Sequence, residues 1–163
     1  MRPFEQIVTE HGATVLRVCR AVVGPVDADD AWSETFLAAL RAYPSLGAGA
    51  NIQAWLVTIA HRKAIDIIRA RARGAVTVAE LPDRASPTGN PGAWNAELWE
   101  ALARLPDRQR QSLAYHFVVG LPYAQVAEVL GGTTDAARRA AADGIASLRR
   151  TYAGALESNG AQP

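Results

Sequence analysis

The chain carries one cysteine, Cys19, one lysine, Lys63, and no apolar run approaching the length of a membrane span. A lone thiol excludes an intramolecular disulfide and any zinc site built on clustered cysteines, and it suits a reducing compartment. The missing apolar run excludes a spanning helix, and the opening Met1-Arg2-Pro3-Phe4-Glu5 lacks a secretory profile. The expectation is a soluble, cytoplasmic protein with no membrane insertion. His11, His61 and His116 have no partner one helical turn away, and Cys19 has no base beside it in sequence. No Gly-rich phosphate loop stands in a strand–turn–helix setting. No metal, no cofactor and no catalytic residues are expected, so the chain reads as a non-enzyme. Strand-like alternation of useful length is absent as well.

What is present is helical periodicity. With 163 residues, 49% of them apolar, the chain has material for one ordinary domain or two small ones. Phe4, Ile7, Val8, His11, Val15, Val18, Cys19 and Val22 recur at steps of three and four, predicting an amphipathic helix from Pro3 to Val23. Gly24-Pro25 stops it. A second helix begins near Asp27, whose carboxylate is placed to cap it, and runs to Tyr43 with Trp32, Phe36, Ala39 and Leu40 on its inner side. After the Pro44–Ala50 loop, a third helix from Asn51 to Arg73 turns Ile52, Leu56, Ile59, Ala60 and Ile67 inward.

Residues 74–92 hold proline, glycine, serine and threonine with few sizeable aliphatics, which marks an extended linker and the domain boundary. Periodicity returns at Trp94, Leu98, Trp99, Leu102 and Leu105. Pro106 opens a helix that ends near Gly120, and Pro122 opens a short one bearing Tyr123, Val126, Ala127 and Leu130. Gly131-Gly132-Thr133 then turns into a longer helix with Ala137, Ala141, Ile145, Leu148 and Tyr152 inward. A short helix, a tight glycine turn and a longer helix form a helix-turn-helix pattern. Residues 154–163 are small and polar and are expected to be a disordered tail. The fold class is all-α: two small helical domains, 1–73 and 93–153, joined by the linker.

Net charge is only +1, yet charge is not evenly spread. From Val26 to Leu40 there are acids at Asp27, Asp29, Asp30 and Glu34 and no base, whereas Ala60 to Gly74 holds Arg62, Lys63, Arg69, Arg71 and Arg73 against Asp66 alone. Arg62, Asp66, Arg69 and Arg73 fall on one face of the third helix. Two readings stand: a track for a phosphate backbone with Trp55 as a stacking platform, or a solvated face with Asp66 as internal partner and Trp55 in the core. The acidic stretch is either capping and helix-dipole complementarity or a docking face for a basic protein, with Glu34, beyond the first turn, favouring the second. In the helix-turn-helix, Thr133, Thr134, Asp135, Arg138 and Arg139 lie outward at the start of the second helix, where duplex readers place base and phosphate contacts. Two helices about a glycine turn also occur in proteins that never meet DNA.

Four segments together resemble the extracytoplasmic-function sigma factors, two-domain initiation factors of bacterial RNA polymerase. They are Asp27-Ala28-Asp29-Asp30 with Glu34-Thr35-Phe36-Leu37; Ala54-Trp55-Leu56 through Ala64-Ile65-Asp66; Ala103-Arg104-Leu105-Pro106-Asp107-Arg108-Gln109-Arg110; and Gly120-Leu121-Pro122-Tyr123 through Gly131. The resemblance spans Phe4 to Tyr152. It implies that Asp30, Trp32, Glu34 and Phe36 bind core RNA polymerase. It likewise implies that Asn51, Trp55, Arg62, Lys63, Arg69 and Arg73 meet the minus-ten element of promoter DNA, and that Thr134, Arg138 and Arg139 read the minus-thirty-five element. An anti-sigma factor is the further partner it implies, with the free protein a monomer. Arg62 stands where the family commonly has asparagine, and Ala140 and Asp143 stand where many members have arginine, which implies a divergent recognition surface. A stand-alone helix-turn-helix regulator and a polymerase adaptor that reads no DNA are the competing classes.

Overall fold

The computed structural model describes residues 2–74 and 96–160, with side chains as far as Tyr152. The expected extended linker, Trp94 and the end of the tail lie outside them. The chain divides into two compact units, Met1–Gly92 and Ala93–Pro163, each taken by itself. Among the described residues every regular element is helical, as the steps of three and four predict.

In the first unit, α1 (Phe4–Val23), α2 (Ala28–Ala42) and α3 (Ile52–Gly74) each pack on the other two. α1 ends where Gly24 takes a φ of 86°, a conformation that costs glycine little. Its inward stripe of Ile7, Val15, Val18, Cys19 and Val22 is buried, joined by Leu16 and by Gly12, which faces the Trp32 indole. Each fully buried aliphatic of this kind contributes about 1.5–3 kcal/mol.

α2 differs from expectation. Its inner line is Ala28, Ala31, Thr35 and Ala39, at steps of three, four and four, while Leu40 is 51% exposed. Small side chains there let helices approach closely, and the Thr35 hydroxyl is satisfied by donating to the Ala31 carbonyl at 2.6 Å. Phe36 reaches inward beside that line onto Phe4 and Trp32. α2 gives way to a 3-10 turn, Tyr43–Ser45, at Pro44. In α3 the buried positions are Leu56, Val57, Ala60 and Ala64, with Ile59 and Ile67 only half-buried at the margins. Gly74, expected to begin the linker, is the last residue of α3.

In the second unit, α4 (Ala96–Ala103) and α5 (Asp107–Leu113) pack on the long α7 (Thr134–Gly160), as does α6 (Tyr123–Leu130). Pro106 and Pro122 sit one residue before their helices in extended conformation rather than as the first helical residues. The helix expected to reach Gly120 stops at Leu113 and continues as a π-helical turn, Ala114–Val118. The wider turn shifts the register, so Tyr115 and Val119 are buried while Phe117 is 56% exposed. α7 also corrects the tail: its backbone stays helical through Gly160, because Ala153, Ala155, Leu156 and Glu157 are strong helix formers. Gly144 lies where α5 and α7 come together: a side chain there would begin 3.3 Å from the Gln109 carbonyl oxygen.

Candidate protein and nucleic-acid interfaces

The acidic stretch separates into two parts. Asp27 is 7% exposed and makes no cap; its carboxylate accepts a hydrogen bond from Arg71, correcting the capping expectation. Arg71 reaches it because position 71 continues the inward line of Ala60 and Ala64 on α3. Asp30 and Glu34 are exposed on α2, one turn apart, and among the described residues neither is in an ion pair. Leu37, 49% exposed, continues that line, and Leu40 lies beside it.

Phe36, expected at a polymerase contact, is instead a core residue at 6% exposure, wedged between Phe4 and Trp32. Trp32 is half-buried, its indole N–H donating to the Gly12 carbonyl at 2.8 Å. The outward surface of α2 is therefore Asp30, Glu34, Leu37 and Leu40, two carboxylates and two leucines. Leu40 was missed because a large apolar residue at helical spacing reads as core, and Leu37 because nothing in its spacing marks it as a contact.

On α3, Arg62, Asp66, Arg69 and Arg73 are exposed, and Lys63 is half-buried. Among the described residues none of them forms an ion pair, so Asp66 does not neutralise its neighbours. Helical geometry puts Trp55, Arg62, Arg69 and Arg73 along one face, since their spacings of seven, seven and four residues each return close to the same direction. Trp55 is half-buried, with its ring 6.4 Å from that of Tyr43. Asn51 precedes α3 and caps it: its Oδ1 accepts from the Ala54 N–H at 3.1 Å. Its amide nitrogen stays at an exposed position.

Cys19 takes no part in either face. Burial pushes its thiol up to about 12, which makes it an inert packing residue. Among the described residues no group of three or more His, Cys, Asp or Glu is placed to hold a metal. Among the described residues no helix is long and apolar enough to cross a membrane.

In the second unit the α6–α7 turn uses glycine twice, Gly131 at φ 81° and Gly132 at φ 103°. Thr133 caps α7, its Oγ1 accepting from the Ala136 N–H at 3.0 Å. Thr134 is half-buried; Arg138 and Arg139 are exposed. Arg138 Nη1 donates to Asp135 Oδ1 at 2.9 Å, whereas Arg139 forms no ion pair among the described residues. Arg108, on the first turn of α5, donates to the Gly131 carbonyl at 2.6 Å and so places a further cation beside the turn. Nothing in the spacing announces that contact, which depends on a carbonyl freed by the turn.

Two helical units with these surfaces define the class, and comparison supplies the family. Residues 7–74 match the model of Sigma-70 region 2 and residues 95–148 that of Sigma-70, region 4. The chain belongs to the extracytoplasmic-function sigma factors. It is 34% identical over 137 residues to the ECF RNA polymerase sigma factor BldN of Streptomyces coelicolor, covering 78% of this chain and 52% of the relative. To the ECF RNA polymerase sigma factor SigD of Mycobacterium tuberculosis it is 37% identical over 137 residues, covering 76% of this chain and 65% of that protein. The chain thus spans between half and two thirds of these relatives' lengths. The fold is also that of the sigma factor RpoE in its complex with the anti-sigma factor NepR from Bartonella quintana, with a TM-score of 0.71, 19% identity, and coverage of 91% of this chain and 97% of that one.

Proposed function

We propose that this protein binds core RNA polymerase in the cytoplasm and directs it to promoters, opening the DNA at the minus-ten element and starting transcription. The observation that carries the reading is the separation of two surfaces on one three-helix unit. Asp30 and Glu34 stand exposed with Leu37 and Leu40 on α2, and Arg62, Arg69 and Arg73 stand exposed along α3. A carboxylate–leucine surface suits a basic, partly apolar protein partner; an arginine track with a tryptophan at its end suits a phosphate backbone and unpaired bases. The two occupants need not compete. The second unit adds duplex reading through Arg138 and Arg139 at the start of α7.

Among the named sites, Asp30 and Glu34 keep their proposed polymerase role and are joined by Leu37 and Leu40. Trp32 contributes what remains of its accessible edge, and Phe36 supports the surface from within. Asn51, Trp55, Arg62, Lys63, Arg69 and Arg73 remain the proposed minus-ten contacts. By analogy with the RpoE–NepR pair, an anti-sigma factor is the proposed inhibitor, covering one or both surfaces.

Capture of core polymerase on the immobilised protein tests this reading together with binding of single-stranded minus-ten probes. Glu34→Lys should reduce the first and spare the second, and Arg69→Ala should do the reverse. Loss of both by either substitution in a folded protein counts against separate surfaces. A polymerase adaptor that reads no DNA is favoured by one observation, the partial neutralisation of Arg138 by Asp135. Promoter selection indifferent to Arg138→Ala would support it.

A further inference from the structure

Arg138 is held by more than its own helix. Its guanidinium carbon lies over the ring of Tyr123, 5.4 Å from the centroid, and its Nη1 donates to Asp135. The Tyr123 ring is fixed in turn. It stacks on His116 with centroids 3.8 Å apart and planes inclined by only 13°. His116 is anchored from the π-helical turn, its Nδ1–H donating to the Leu121 carbonyl at 2.8 Å. Three elements, the π turn, the first residue of α6 and the first turns of α7, therefore converge on one exposed guanidinium.

We infer that Tyr123, steadied by His116, is a positioning residue that sets base preference by orienting Arg138. An arginine reads guanine through two parallel N–H bonds, which requires the planar fork to be aimed. A free arginine on a helix surface samples many rotamers and must surrender them on binding. Stacked on Tyr123 and tied to Asp135, Arg138 has surrendered part of that freedom already. The ring acts through its face, not its hydroxyl. Removing it affects discrimination at the base that Arg138 reads more than phosphate-based affinity, which is indifferent to sequence.

The inference rests on the proposed duplex reading by α6 and α7, and the experiment separates the two. The full chain, bound to core polymerase, selects from a duplex library randomised over its upstream block. The enriched duplex and its single-base variants are then titrated. Arg138→Ala should abolish preference for guanine at one position, which identifies that position. Tyr123→Phe should keep the preference. Tyr123→Leu should lower the guanine-over-adenine ratio there by about two- to fivefold, the range expected when an exposed cation–π contact is lost, with other positions unchanged. Should Tyr123→Leu fail to fold by circular dichroism, Tyr123→Gln takes its place with the same expectation. An undiminished ratio overturns the inference, as does a uniform weakening at every position or a Tyr123→Phe as damaging as Tyr123→Leu. If no guanine preference depends on Arg138, the duplex reading falls and the inference with it, while polymerase capture by the first unit stands.

Discussion

Asp27 accepts a hydrogen bond from Arg71, 44 residues further along the chain, instead of capping the helix it precedes. The carboxylate side chain is 10% exposed and the guanidinium 42%, so the two partners are not equivalent. Arg71→Ala strands a nearly buried anion and should cost about 1–3 kcal/mol. Asp27→Ala leaves a cation that can turn to solvent and should cost less. Urea midpoints of the two variants check the order; equal losses would mean that the pair is effectively solvated.

The same pairing takes Arg71 out of the basic track. Arg62→Ala, Arg69→Ala and Arg73→Ala should each reduce the salt dependence of single-strand binding, by about 0.7 in the slope of log K against log salt. Arg71→Ala should leave that slope unchanged. Anisotropy titrations across a salt series distinguish them, and an equal effect from Arg71→Ala would show that its ion pair opens to bind phosphate.

On α2, Leu37→Asp should weaken capture of core polymerase with little change in thermal stability, because Leu37 is already half in solvent. Phe36→Ala should lower stability by about 3–5 kcal/mol, the usual loss for a large core truncation. Melting curves run beside capture assays separate the two; a stable Phe36→Ala protein defective only in capture would return Phe36 to the interface.

Two buried glycines respond oppositely to a methyl group. At Gly12 the nearest atom to an added side chain is a Trp32 ring carbon at 3.6 Å, ordinary contact, so Gly12→Ala should stabilise by roughly 0.5–1 kcal/mol through helix propensity. At Gly144 the neighbours are Leu113 Cδ1 at 3.2 Å and the backbone oxygen of Gln109 at 3.3 Å. A backbone atom yields poorly, so Gly144→Ala should destabilise the second unit. Thermal unfolding of both variants gives the signs directly.

His11 gives the first unit a pH dependence. Burial holds its pKa below the ordinary 6.5, with Arg2 acting in the same direction and Glu10 opposing. The unfolded chain therefore takes up the proton first as pH falls. Stability is full above 6.5 and declines from there toward the lower folded value. His11→Gln should flatten the urea midpoint across that window, and an unchanged slope would assign the loss to other groups.

Much of this was legible in the sequence, and the failures share a cause. Helices announce themselves through spacing, and the proline- and glycine-rich break at 74–92 announces two units. On α2 the expected Phe36 and Ala39 are buried, but hydrophobic periodicity weights large side chains and overlooks Ala28, Ala31 and Thr35, which complete the interior there. That error alone put Leu40 inside. Helical spacing already set Arg71 off the face shared by Arg62, Arg69 and Arg73, but its pairing with Asp27 joins residues 44 positions apart and has no signal in the sequence. The His116 ring that stacks on Tyr123 is carried by the π-helical turn, a register shift that no residue pattern in Ala114–Val118 signals.

Run-off transcription with purified core polymerase on promoter fragments from the source genome addresses the central claim most directly. Transcripts of defined length that require this protein, fall with Glu34→Lys and fall with Arg69→Ala are the predicted result. A folded protein that binds core polymerase yet leaves every template silent would contradict it.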